Sequence, residues 1–488
     1  MISKEEQIKN SFLYLFPAII GTLIPFLTLP VFTRILTKED YGVFALCQFY
    51  AAFVNGIANF CLTYGFERNF FEHKEVKNVA GLLYSTLAFV IIASTILGFL
   101  TYTFRQQLSH LIIGSSEFGS LLFWTYCSLG ITGLKNYYLI FYKNSENAKP
   151  FVLYTIVESI MAALISLFMV AYLRIGVIGL IWGQLWAGLI IFSILSFQFV
   201  RMLPVSIERE ALWDSLKISS PLTPRIFFGV LGNQFDKYLI GLLGTVGGVG
   251  IYNIGQRVAY IVFYYMTAIQ NVFSPQVYRR MFDLGEEGKA SIGRYLTPFL
   301  YTSILIGLLI SLFSEELTAV LTPESYHDAI DIIIIFSMLY GSYFFSKQPQ
   351  LIYMKKTYIS SIINIFNIGI NVAINIPFIL RWGAIGAAWG TLLSGLISGS
   401  ILFFISQHFY HIKWEYGKVL SIFIIFFGSS IAMIVMRNFG ISYEIRAIFK
   451  TVSLALYLYL GIVFNILSKK NYLLIRSIMI TTKNGAHL

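Results

Sequence analysis

The chain has 488 residues, of which 57% are hydrophobic and only 12% charged, and its mean hydropathy is +0.72. So few charges cannot clothe a soluble protein of this size, which leaves a polytopic membrane protein as the class. The net charge of +11 does not point to nucleic acid, because the basic residues sit in short loops between apolar runs, as a positive-inside bias requires.

In chain order, a polar start of about ten residues leads directly into a run long enough to span, so no cleavable signal peptide is expected. About fourteen runs of helix-spanning length follow, near 12–33, 41–64, 79–103, 119–141, 151–173, 176–200, 219–243, 249–277, 293–313, 330–352, 357–380, 383–406, 418–436 and 446–468. The fourth is interrupted by Gly130, Gly133, Lys135 and Asn136, and losing it would reverse half the topology. An even count puts both termini on one side. Loops holding Lys74, Lys77, Lys143, Lys149, Arg201, Arg209, Arg279, Arg280, Lys355, Lys356, Lys469 and Lys470 carry about twenty basic residues against about seven on the other side, which makes both termini cytoplasmic. Cys47, Cys61 and Cys127 lie in apolar segments without metal-ligand spacing and read as small buried hydrophobes.

The chain repeats itself. Leu173-Arg174-Ile175-Gly176-Val177-Ile178-Gly179-Leu180-Ile181-Trp182-Gly183 returns as Leu380-Arg381-Trp382-Gly383-Ala384-Ile385-Gly386-Ala387-Ala388-Trp389-Gly390, about 207 residues later. Tyr41-Gly42-Val43-Phe44 corresponds to Val249-Gly250-Ile251-Tyr252 at an offset of about 208. Six helices separate the copies, so both insert the same way up, and a pseudo-two-fold axis along the membrane normal relates them. The expected architecture is all-α: a first six-helix lobe over 1–200, a cytoplasmic linker helix over 201–218, a second lobe over 219–406, and two C-terminal helices with a tail over 407–488. Those last two helices have no repeat partner and read as an appendage. A substrate site is expected between the lobes.

Leu29-Pro30-Val31-Phe32-Thr33-Arg34-Ile35-Leu36-Thr37-Lys38-Glu39-Asp40-Tyr41-Gly42-Val43-Phe44, Ser220-Pro221-Leu222-Thr223-Pro224 and Asp236-Lys237-Tyr238-Leu239-Ile240-Gly241 carry a resemblance. They are similar to the polysaccharide-biosynthesis flippase family, whose superfamily also holds lipid II flippases and multidrug and toxic compound extrusion transporters. The resemblance covers nearly the whole chain. It implies translocation of an undecaprenyl-pyrophosphate-linked oligosaccharide repeat unit across the bacterial cytoplasmic (inner) membrane by alternating access, for O-antigen (lipopolysaccharide), capsule or exopolysaccharide assembly. The polysaccharide polymerase machinery would be its partner.

Charges inside apolar runs are costly in lipid and mark interiors or water-filled cavities. The cations Arg68, Lys135, Arg225, Lys237, Arg257 and Lys347, with Arg34 at a helix end, outnumber the anions Glu67, Glu158, Asp236 and Asp331. That surplus suits a pyrophosphate. Arg225, Gly229, Gly232 and Asp236 share one helix face, on which Arg225 either meets the phosphate or snorkels to headgroups. Arg257 is present in one copy only, its counterpart being Phe49, so it is the leading candidate, with a salt bridge as the other reading. Asn364, Asn367, Asn371 and Asn375 form a ladder that faces sugar or bonds neighbouring helices. By the 207-residue offset its counterparts are Val157, Ile160, Leu164 and Phe168, and duplication does not explain it. Glu158 either couples transport to protons or sodium or neutralises Lys135 or Arg68; Asp236 is a second coupling candidate. No cofactor and no nucleotide loop are expected. The competing functions are a cation-coupled drug exporter, which suits an acidic lumen better, and an integral-membrane glycosyltransferase or polymerase, which would need Glu158 or Asp236 as its carboxylate.

Overall fold

The computed structural model describes residues 15–72, 75–345 and 348–466, and these form an all-α protein. The chain divides into two compact units after Gly250. Among the described residues, nine helices are long and apolar enough to cross a membrane, one of them a 52-residue pair of arms.

The first unit contains α1 (Leu15–Ile35), α2 (Lys38–Asn59), α3 (Leu62–Phe70), α4 (Val76–Thr103), α5 (Arg105–Ile113), α6 (Gly119–Asn144), α7 (Ala148–Leu167), α8 (Ile178–Met202), α9 (Arg209–Ser219) and α10 (Thr223–Leu243). The run Thr37-Lys38-Glu39-Asp40 begins α2 as a capping box: the Asp40 amide donates to Thr37 Oγ1 at 3.1 Å, and the Thr37 amide donates to Asp40 Oδ2 at 3.0 Å. Two otherwise unpaired amides are thereby satisfied. The second apolar run does not continue to 64 as its hydropathy suggests. Phe60 and Cys61 adopt φ of 46° and 55°, a left-handed pair that non-glycine residues rarely accept, and the chain turns there into α3. The interrupted fourth run is a single helix despite its glycines.

The turn at Phe60 gives α9 its seat. Ser215 lies against Gly65, where a Cβ would meet the Ser215 backbone, and its Oγ accepts from Asn69 Nδ2 at 3.0 Å. The Glu208 amide donates to Ser85 Oγ at 2.7 Å. Ala211 joins Leu62, Phe66, Leu83, Tyr137, Ile191 and Phe199 in the core of this unit. The expected surface helix therefore docks through small residues on one face and leaves Trp213 63% exposed on the other, as an amphipathic helix at an interface does.

The helix α11 (Val246–Asp283) starts in the first unit, and the second holds the rest of it with α12 (Gly285–Leu312), α13 (Ser314–Leu321), α14 (Ala329–Ser342), α15 (Pro349–Tyr353), α16 (Thr357–Phe409), α17 (Tyr416–Asn438) and α18 (Tyr443–Val463). Gly383, at φ 58°, breaks α16 into two arms, so two apolar runs share one continuous label. The two C-terminal helices are not an appendage. Fully buried Phe426 of α17 fits against Gly307 of α12 and Gly341 of α14, where missing side chains permit close van der Waals approach. Tyr301 and Tyr457 each donate their hydroxyl to the other's carbonyl, at 3.0 and 2.8 Å. Lys450, 1% exposed, bonds Glu315 and Glu316 at 2.7 Å each.

The side chain of Glu316 is partly shielded, which raises its pKa, but Lys450 and Tyr443 hold it below its ordinary value of 4.5. Because the folded value is the lower one, its contribution is present above about pH 4.5 and is lost as pH falls through the folded value. Glu316→Gln should therefore lower the melting temperature at neutral pH, with the deficit closing as the protein is titrated below pH 4.5. A deficit independent of pH in detergent melts would refute the assignment.

Candidate functional site

The helical period of α11 sorts its residues into two faces. Tyr252, Ala259, Val262 and Met266 are buried, whereas Asn253, Arg257, Tyr260, Tyr264 and Asn271 occupy the opposite side with intermediate or exposed surfaces. At about 100° per residue these five fall within about 60° of one another. A face carrying two asparagines and an arginine is costly to place against lipid, although α11 is not among the nine helices apolar enough to cross a membrane by composition. The repeat counterparts are Ala45, Phe49, Ala52, Gly56 and Thr63, an almost wholly apolar set, and packing in the first copy is satisfied without polarity. Among the described residues nothing hydrogen-bonds or ion-pairs with Arg257.

The other proposed cations differ. Lys135 of α6 pairs with Glu158 of α7, their side chains only 5% and 13% exposed. Lys135 is thus the neighbour of Glu158, one of the two partners considered for it. Arg68 is not inside a span: it stands on α3, 59% exposed, paired with Glu72, because the left-handed turn ends the spanning helix before it. Arg34 is exposed at the end of α1 and donates to the Pro30 carbonyl at 2.8 Å, capping the helix. Lys237 is 7% exposed and donates to Gln234 Oε1 at 2.9 Å; its neighbour Asp236 is 5% exposed and also bonded. Arg225 lies on α10, but its side chain, like the whole of Lys347, falls outside the described part.

The amide ladder bonds helix to helix. Asn371 Nδ2 donates to Ser394 Oγ at 3.2 Å, Asn375 Nδ2 to Asn371 Oδ1 at 3.0 Å, and Ser398 Oγ to Asn367 Oδ1 at 2.8 Å. The bonds to Ser394 and Ser398 zip the two arms of α16 together, the bond between Asn375 and Asn371 lies within one arm, and Asn364 alone is exposed. The contacts also correct the register of the repeat. A Cβ on Gly390 would meet Asn375 and one on Gly183 would meet Ser166, just as Gly386 meets Phe378 and Gly179 meets Met169. The glycine helices match at an offset of 207, but their partners match at 209, the first copy passing through a π-helical turn at Phe168–Tyr172 where a wider turn absorbs residues. In space, then, Asn364, Asn367 and Asn375 correspond to Thr155, Glu158 and Ser166. Three of the four polar positions are thus duplicated, Asn371 having Ala162 as its counterpart, and Glu158 is the charged member.

One group escaped the sequence reading. Lys450, inside the last apolar run, joins Glu315, Glu316 and Arg446 in a buried cluster, with Arg437 and Asp331 paired at 3.3 Å in the same unit. Its position eight residues into α18 was the available signal.

Duplicated helical halves with nine helices long and apolar enough to cross a membrane among the described residues define a multi-pass membrane protein. A family model described as "Polysaccharide biosynthesis protein" matches residues 31–331, more than half the chain, and the protein belongs to that family. No curated protein matches it by sequence. Among solved structures it is similar to the lipid II flippase MurJ in an inward closed conformation, at TM-score 0.68 and 15% identity over 94% of this chain and 99% of that one. It is also similar to an inward-facing multidrug resistance MATE family transporter of the MOP superfamily, at 0.61 and 14% over 81% and 97%. The Vibrio cholerae MATE transporter VcmN, in its bent form, matches at 0.52 and 15% over 86% and 98%. At such identities the likeness carries the fold.

Proposed function

We propose that the protein is a flippase that moves an undecaprenyl-pyrophosphate-linked oligosaccharide across the bacterial cytoplasmic membrane by alternating access, both termini being cytoplasmic, and supplies polymerising machinery on the far side. The observation that carries this reading is Arg257. It is a cation with no partner among the described residues, on a polar face whose repeat counterpart is almost wholly apolar. A half-buried cation without a counter-ion suits an arriving anion, and a guanidinium fork suits phosphate oxygens. The pairing of Lys135, Lys450 and Arg437 with carboxylates concentrates this role on Arg257. Family membership and the likeness to a lipid II flippase support a lipid-linked cargo. Transport rather than catalysis is the role within this reading, since Glu158 is held in an ion pair and Asp236 is buried with a partner of its own.

Arg257→Gln should reduce export of lipid-linked sugar about 10- to 100-fold, the equivalent of one or two lost charge-assisted hydrogen bonds, with membrane abundance unchanged. Arg257→Lys should recover part of it. Export at the wild-type rate in Arg257→Gln would overturn the proposal.

A further inference from the structure

We infer that Tyr264 is a sugar-contacting residue: the polar face of α11 holds the cargo's pyrophosphate at Arg257 and stacks the first pyranose ring on the Tyr264 side chain. This rests on the flippase reading. Tyr264 lies seven residues beyond Arg257, within about 20° around the helix and about 10.5 Å along it. It therefore looks into the same water-filled side that the arginine requires. The residue is 46% exposed, and its ring is steadied by Tyr260 and Phe263, with centroids 5.9 Å away in both cases. Tyr260 in turn is stacked on Tyr340 at 5.3 Å and 11°. The support is rigid. Among the described residues the Tyr264 hydroxyl makes no hydrogen bond, so neither face nor tip is consumed by the fold.

The repeat removes the bland explanation. The position equivalent to Tyr264 is Gly56, which has nothing within 4 Å of a built Cβ, so helix packing at this place does not call for a large ring. An aromatic face presented to water beside a phosphate-binding cation suits the C–H face of a pyranose, which is apolar while its edges carry hydroxyls. Asn253, four residues before Arg257 on the same face, can donate to the pyrophosphate and accept from a hydroxyl. Arg257 would supply affinity common to every cargo, whereas Tyr264 would supply the part that depends on a sugar being present.

The experiment uses the full chain in lipid nanodiscs and two probes, undecaprenyl pyrophosphate and undecaprenyl-pyrophosphoryl-N-acetylglucosamine. Wild type should bind the glycosylated probe about tenfold more tightly, the scale of one well-placed aromatic contact. Tyr264→Ala should abolish that margin while leaving the bare pyrophosphate bound as before, and Tyr264→Phe should keep it. Because the side chain is exposed, its truncation leaves the packing intact. Equal affinities of wild type for the two probes, or a margin that survives in Tyr264→Ala, overturns the role of Tyr264. Arg257→Gln should weaken both probes together; if it weakens neither, the pyrophosphate site fails, a result separate from the margin that reports on Tyr264.

Discussion

Gly250→Val should be among the most damaging single substitutions in the protein. Within the first unit, the start of α2 crosses the first turn of α11 with backbone against backbone. A Cβ on Gly250 would meet the Lys38 carbonyl and stand 3.0 Å from the Gly42 amide nitrogen, and one on Gly42 would meet the Val246 carbonyl, with its carbon at 2.7 Å. These two glycines are repeat counterparts of each other, so the duplication has produced a crossing that is tight from both sides. Main-chain atoms cannot swing aside as a side-chain tip can, and the helices must separate. Gly250→Ala should cost about 1–3 kcal/mol and Gly250→Val more. The check is loss of monodisperse protein on heating in detergent, with Gly56→Ala as control because nothing lies within 4 Å of that position. Gly42→Ala added to Gly250→Ala should cost less than the sum of the singles, since the first already opens the crossing. A Gly250→Ala protein that melts with the wild type would dispose of the argument.

The sequence exposed the helices because lipid imposes an unforgiving length and polarity rule, and every apolar run within the described residues is helical. It concealed the end of α2, since left-handed Phe60 and Cys61 carry none of the usual glycine signal. It misjudged α17 and α18 for a different reason. Lack of a repeat partner says nothing about packing, and Phe426 and Tyr457 are fully buried. Among charged residues, spacing could name Arg257 and the Asn367 to Asn375 ladder but not their partners. Lys135 and Glu158 are 23 residues apart, and only the hairpin of α6 and α7 decides that they meet. The counterparts of three ladder positions were likewise a matter of two residues of register, hidden in a π turn that hydropathy does not register.

That ion pair gives the second large effect. Lys135 and Glu158 are so well buried that removing one partner strands the other charge, which costs about 3–5 kcal/mol, while replacing both by apolar groups of similar size is close to neutral. Glu158→Leu and Lys135→Met should each cut membrane abundance and thermal stability sharply, and the double substitution should restore both. Restoration makes the functional question answerable. If the pair only holds α6 against α7, the stable double variant exports lipid-linked sugar normally; if Glu158 exchanges a proton or sodium during the cycle, the variant is stable but idle, and the dependence of transport on the ion gradient disappears with it. A double variant as unstable as the worse single would remove the ion pair as the cause, because a stranded charge would then not be what the single substitutions create.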